Sequence, residues 1–362
     1  MKFPKAFTQD CFAVKVPTLA QGGGTLCTTG RAAVQRCLQD GGLLDTTVIT
    51  GGLPEDRGRL LMAVHTQTAR AGLPFVLLTD RPVRSLPGVP CFFYDPFQGH
   101  DRRQAAFLLA QTARCRKGFD CEEIAFSLDA LLRHWEGSTL REFLAASCEE
   151  LELRAQQYGP LPFAERAEFR RVFYLMEELR RVTPGDGPTA SVEGLLQSGG
   201  QLILRHPLHW AMALKEAELL CDQWPLVCEE APFGELPGAI RPLLRGHTIL
   251  VCRSLPGELS AEDWDAVCSR GPVSVVFAHP SALDAQKLAD YYGSEYVTRQ
   301  EYSDSVGQSW LEPWSRTRTR GHTTQRVRQN QILPETIQNL QPGAAIVTCA
   351  AGRCLCSFRV SP

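Results

Sequence analysis

Residues 48–67 read "VITGGLPEDRGRLLMAVHTQ". A β-branched pair, Val48 and Ile49, runs into the adjacent glycines Gly51 and Gly52. A short polar loop and Gly58 follow, and then apolar residues spaced as on a helix, expected from about Arg59. A strand turned into a helix by glycines is the repeating unit of a parallel α/β sheet. The same alternation should therefore extend outward in both directions.

Downstream, "PFVLLTD" (74–80) and "VPCFFYDP" (89–96) are further apolar runs, with a helix between the first glycine turn and the former and another near 102–116. Upstream, residues 11–16 and 25–29 read as short strands joined by "AQGGG", and 31–42 as a helix closed by glycines. Apolar runs without alternation, separated by helices, indicate parallel strands buried on both faces. Between about 120 and 183 the strand signals stop. Thr139 and Glu142 form a capping box, and the helix 163–182 puts Phe169, Val172, Phe173, Met176 and Leu179 on one face. After the turn-rich "TPGDGPT" (183–189) the alternation resumes with "GGQLILRH", "HTILVCRS" and "PVSVVFAH", each followed by a helix. One of these helices is opened by Ser260, with Glu262 and Asp263 in its first turn. The expected fold class is α/β, a RecA-like, mostly parallel sheet with helices on both faces. Its halves are 1–119 and 184–362, around a helical insertion at 120–183.

The 362 residues carry a formal net charge of −2 and 44% hydrophobic residues, which gives no general basicity to advertise nucleic acid. No run of about 18 apolar residues is present, so no membrane insertion is expected. The start of the chain lacks the apolar core of a signal peptide, so the expected location is the cytoplasm. The 14 cysteines form no C-x-x-C pair and are read as reduced, small core residues.

The turn at 51–59 lies where a phosphate loop reads G-x-x-x-x-G-K-[ST], whose lysine reaches the phosphates and whose hydroxyl holds Mg²⁺. No Gly-Lys pair occurs in this chain. Leu60 replaces the hydroxyl, the Gly52–Gly58 spacing is one residue too long, and Glu55 and Asp56 would face the phosphates. The strand "ILVC" ends in Arg253 and Ser254 where acids for metal and water are sought. The reading is a relic in which Gly52, Arg57, Gly58 and Arg59 retain at most an anion-binding helix start. No catalytic residue, ATP, Mg²⁺ or other metal is expected.

Elsewhere, "RTRTRGHTTQRVRQNQ" (316–331) holds Arg316, Arg318, Arg320, Arg326 and Arg328, with Trp310 and Trp314 upstream. These residues are candidates for a nucleic-acid backbone and for base stacking; the competing reading is a solvated charged loop. His206 and His209 lack a third metal ligand nearby. His279 closes a buried strand, the end that faces the ligand crevice in such sheets.

From "VSVVFAHPSALDAQKLADYYG" onward the chain resembles the type IV coupling proteins, RecA-like ATPases of bacterial conjugation and type IV secretion. Gln286, Tyr292 and Gly293 match that family's pattern, as do Pro334, Glu335, Leu340, Gly343 and "AIV" at 345–347. His279 stands where the family has a sensor glutamine, which makes His279 and Gln286 sensor-like positions. "PFVLLTD" and "CFFYDPF" resemble the family's strands after its phosphate loop, and the insertion lies where it has its all-α domain. The resemblance implies protein partners of a conjugation or secretion apparatus, DNA, and an oligomer. With the phosphate and metal residues missing, the expected role is a non-hydrolysing binding or scaffold component. Two alternatives stand beside it: a nucleotide-dependent DNA translocase completed by another subunit, and an Arg-rich nucleic-acid adaptor.

Overall fold

The structure, a computed structural model, describes residues 13–15, 46–70, 72–82, 85–133, 135–156, 163–183, 187–220, 226–229, 236, 248–270, 273–308, 316–349 and 352–359. The strand expected at 25–29, the helix at 31–42 and both Trp310 and Trp314 lie outside these residues. The chain forms two compact units. One holds the described residues of 1–18, 27–278 and 341–362, the other the described residues of 279–340.

The first unit is built on an eleven-stranded sheet in the order β1-β13-β12-β9-β2-β8-β7-β3-β6-β4-β5. Its strands are β1 (Ala13–Lys15), β2 (Thr47–Thr50), β3 (Phe75–Leu78), β4 (Cys91–Tyr94), β5 (Thr189–Ala190), β6 (Gln201–Leu204), β7 (Leu226–Glu229), β8 (Thr248–Cys252), β9 (Val273–Val276), β12 (Ala344–Cys349) and β13 (Gly352–Arg359). From β9 through β5 neighbouring strands run parallel. β12, β13 and β1 close one edge in antiparallel fashion. The central strands are buried on both sides, and successive residues serve different cores. Val48, Val76, Leu78, Leu250 and Cys252 enter one, and Ile49, Leu77, Val227, Val251 and Val275 the other. That division is the reason these runs show no polar alternation.

Helix α1 (Pro54–Arg70) covers the second face with Leu60, Leu61, Ala63 and Val64. Between β4 and β5 the described residues hold only helices: α2 (Arg102–Ala110), a 3₁₀ turn, α3 (Cys121–Leu132), α4 (Leu140–Ala145), α5 (Cys148–Gln156) and α6 (Phe163–Val182). Together with α7 (Val192–Ser198) and α8 (Pro207–Leu219) they supply much of the first core. The Thr139–Glu142 capping box is formed, and Phe169, Val172, Met176 and Leu179 of α6 are buried. Asp95, buried at the end of β4, hangs this segment on the sheet. Its two carboxylate oxygens lie 3.1 Å from the Leu140 N–H that opens α4, and it also accepts the Phe97 N–H at 2.9 Å. Burial raises its pKa above the ordinary carboxylate value, and the two amides oppose that rise. α9 (Leu255–Glu258) and α10 (Ala261–Ser269) follow β8, with Ser260 capping the latter as expected. Among the described cysteines Cys228, Cys252 and Cys349 are buried, and burial pushes the Cys228 thiol up to about 12, whereas Cys91 and Cys148 are exposed and so are not the core residues expected of them.

The second unit contains α11 (Ala282–Tyr291), a ribbon of two fifteen-residue antiparallel strands, β10 (Ser294–Gln308) and β11 (Arg316–Asn330), and α12 (Pro334–Gln338). The arginine segment, for which a solvated loop was the competing reading, is thus one strand of a hairpin. Its partner strand had no apolar signal to reveal it.

His206 and His209 make separate hydrogen bonds, His206 at the start of α8 and His209 to the residue after α6. His206 Nδ1 accepts the Leu208 N–H at the helix start (3.3 Å). His209 is buried, with Nε2 3.3 Å from the Thr183 hydroxyl. That hydroxyl donates to the Leu179 carbonyl at 2.7 Å, so its oxygen accepts from His209. Burial lowers the His209 pKa to about 4, with His206 as a smaller contributor. Above about pH 6.5 the ring is neutral in both folded and unfolded chains, and His209 adds no pH dependence. Below it the unfolded chain takes a proton that the fold refuses, and stability falls by about 3 kcal/mol before levelling near pH 4. Urea midpoints at about pH 7 and about pH 4.5 should show this fall, and His209→Leu should lessen it. An undiminished fall in that variant would place the titration elsewhere.

Candidate functional site

β2 ends at Thr50 and α1 begins at Pro54, so the turn between them is only Gly51–Leu53. The helix starts earlier than the Arg59 expected from apolar spacing, for local reasons. Proline at the first helical position has its φ preset and needs no hydrogen bond for the N–H it lacks. Glu55 and Asp56 complement the positive helix end. The Asp56 carboxylate accepts the Leu53 N–H (3.4 Å), and the Leu53 carbonyl accepts from Asp56 (3.1 Å) and Arg57 (3.3 Å).

The turn's remaining polar groups are satisfied internally. The Gly51 N–H donates to the carbonyls of Cys252 (3.2 Å) and Arg253 (3.1 Å), and the Gly52 N–H to that of Ala278 (2.8 Å). Arg57, only 1% exposed, reaches back along the helix. Its Nη1 donates to the carbonyls of Gly51 (2.7 Å) and Gly52 (2.9 Å). Gly52 has φ +66°, and a Cβ there would stand 2.7 Å from Phe277 Cβ, so both conformation and space demand glycine. Of the four residues read as an anion site, the structure brings Gly52 and Arg57 together. Gly58 and Arg59 lie inside α1, where Arg59 is exposed and the α-carbon of Gly58 faces open space.

The carboxyl ends of the neighbouring parallel strands belong to the same rank. β8 ends at Cys252 beside β2, and Arg253 and Ser254 follow it; the Ser254 N–H donates to Glu258 (3.3 Å). The next strand, β7, ends in Glu229, a residue not singled out from the sequence. It is 1% exposed, accepts the Thr79 hydroxyl at 2.7 Å and meets Arg81 Nη1 at 3.3 Å. Its signal was an acid closing the apolar run "PLVC" (225–228). That acid is legible only once β7 is known to be a strand of this rank.

The other predicted residues belong to the second unit. His279 is buried, and its N–H donates to the Ile337 carbonyl at 3.3 Å. Gln286 is exposed on α11 and donates to Asp290 at 2.8 Å. Arg316 opens β11, and Arg318, Arg320, Arg326 and Arg328 are exposed along it. Arg318 is bridged to Asp304, and Arg320 lies 3.9 Å from the same carboxylate. No group of three metal-ligating side chains occurs among the described residues, His206 and His209 included.

No protein-family model and no curated protein matches the sequence. Solved structures do match its fold. The trigonal, sulphate-bound form of the bacterial conjugative coupling protein TrwBΔN70 covers 96% of this chain and 96% of its own, with TM-score 0.59 at 11% identity. The plasmid coupling protein TrwB with the non-hydrolysable ATP analogue ADPNP covers 98% and 97%, with TM-score 0.59 at 10% identity. The unbound monoclinic form covers 89% and 86%, with TM-score 0.58 at 13% identity. Likeness at such low identity is likeness of fold. This chain has a RecA-like α/β fold similar to that of the conjugative coupling proteins.

Proposed function

We propose that the chain is a non-hydrolysing, RecA-like binding or scaffold component of a bacterial conjugation or type IV secretion system, acting through protein partners and DNA. One observation carries the non-hydrolysing part: the guanidinium of Arg57 inside the β2–α1 turn. A phosphate loop works by aiming free amides at an anion. Here the two glycine amides are committed to backbone carbonyls, and the turn's own carbonyls point at a buried cation. Asp56 takes the Leu53 amide, occupying with a fixed carboxylate the place a phosphate would claim. These groups do not fit a triphosphate. The likeness to TrwB, described as a coupling protein, supports the assignment to a conjugation or secretion system, as do the matching residues from Gln286 to Val347.

The second reading, a nucleotide-dependent DNA translocase completed by another subunit, draws on Glu229, a buried acid in the strand-end rank. It requires Arg57 to leave the turn and Glu229 to part from Thr79 and Arg81.

Titration calorimetry with ATP and Mg²⁺, and with ADP, should give no heat at about 100 μM protein, which limits any affinity to roughly millimolar or weaker. Micromolar binding would sink the proposal in favour of the translocase. Arg57→Met keeps the aliphatic stem but strips both glycine carbonyls of their donor. It should lower unfolding stability by about 2–4 kcal/mol in urea. An unchanged midpoint would mean that the guanidinium does not hold the turn.

A further inference from the structure

The ribbon of the second unit carries a surface that nothing at the β2 turn explains. Its register sets Tyr296 opposite Arg328, Thr298 opposite Arg326, Tyr302 opposite His322, Asp304 opposite Arg320 and Val306 opposite Arg318. Directly opposed residues share a face, as do alternate residues along a strand, so all these positions lie on one face. Along β11 the arginines and His322 occupy only even-numbered positions, and the odd ones hold Thr, Gly, Gln and Val.

On this face Arg318, Arg320, Arg326 and Arg328 are exposed, and Asp304 is the carboxylate among them. Among the arginines stand Tyr296, 75% exposed, and Tyr302, 76% exposed. The Tyr302 ring is 5.1 Å from that of His322.

Charge alone would suit a ribbon that only needs to stay solvated and to guard its open edges. The tyrosines separate the two cases. Both rings are about three-quarters exposed, so the area they bury contributes little to the fold. Set beside guanidinium groups, they match a ligand that alternates anions with flat rings. Paired bases keep their faces hidden within the duplex stack, so rings of this kind need unpaired ones.

We infer that this face of the β10–β11 ribbon binds single-stranded nucleic acid, with Arg318, Arg320, Arg326 and Arg328 on phosphates and Tyr296 and Tyr302 stacked on bases. The inference deepens the DNA partner of the proposed function and rests on that reading only for its class of ligand. The Asp304 carboxylate already engages Arg318, so it competes with the first phosphate and weakens binding.

The test is fluorescence anisotropy of the full chain with labelled oligothymidylate of about twenty nucleotides, enough to track a ribbon about 50 Å long. A mixed-sequence duplex of equal length is the comparison. The single strand should bind more tightly, with log K falling against log salt at a slope of roughly −2 to −3. Arg326→Gln with Arg328→Gln should lessen that slope by about 1.4. Tyr302→Leu should weaken single-strand binding roughly ten-fold with the slope unchanged, while Tyr302→Phe retains it. Asp304→Asn should tighten it. These positions are exposed, so melting temperatures should stay near that of the parent. If Tyr302→Leu fails to fold, Tyr296→Leu answers the same question. No binding to oligothymidylate overturns the inference, and so does equal binding of the duplex with no effect of the tyrosine changes. Calorimetric binding of ATP would overturn the non-hydrolysing role and leave this result standing.

Discussion

The guanidinium of Arg57 beneath the β2–α1 turn is the contact on which the first unit turns. β2 lies between β8 and β9 and is buried on both faces, so its chain must leave the sheet without stranding a polar group in the core. The amides of Gly51 and Gly52 solve half of that problem by bonding to neighbouring strand ends. Their carbonyls need a donor from elsewhere, and Arg57, one helical turn on, supplies it. Phe277 then closes over Gly52, and Leu60 and Val64 lie against the strands. Those amides are committed to backbone carbonyls, and under the proposed function a turn closed this way is closed at the expense of phosphate binding. An incoming phosphate would have to displace three backbone acceptors and bring its charge toward Asp56. Like charges about 4 Å apart cost roughly 4 kcal/mol at an effective dielectric of 20.

Buried acids hold the helical part of the first unit in a comparable way. Asp95 fastens the start of α4 to β4. Glu216, wholly buried on α8, accepts from Tyr94 (2.8 Å) and from the Glu193 amide at the start of α7 (2.8 Å), and its other contact is His100 Nε2 at 2.9 Å. The hydrogen bond to Glu216 raises the His100 pKa, which favours an imidazolium partner for the carboxylate. Burial, and then Glu216, raises that of Tyr94, which keeps its donor proton in place. Each acid joins elements distant in sequence. Removing one partner would leave a buried acid with an unpaired polar atom, which costs more than the bond itself contributes.

The α/β class and the alternation of buried strands with helices were legible because burial on both faces leaves an unbroken apolar run. The caps at Thr139 and Ser260 were legible because capping depends on residues within one turn. The exact start of α1 was not, since apolar spacing points to Arg59 and gives no weight to Pro54 with two acids behind it. Glu229 escaped notice because its meaning depends on which strand stands two places from β2, a fact of topology rather than of local sequence. β10 was hidden for another reason: a ribbon whose described side chains are mostly exposed needs no hydrophobic alternation, so its strand lacks the pattern by which strands are found.

That last failure bears on what the ribbon's composition means. A two-stranded ribbon is stabilised only weakly by its own ladder. This pair is anchored where Gln331 donates to the Gly293 carbonyl at 2.9 Å and Asn330 donates to Asp290 at 3.1 Å. Beyond that anchor, packing dictates little about which side chains project. In a core strand, the residue pattern is imposed by burial and says little about function. Here the parity of the arginines has no core to explain it, and Thr, Gln or Lys could fill the same positions with the ladder intact. An ordered pattern on a surface that folding leaves free points to something outside the chain that it must meet.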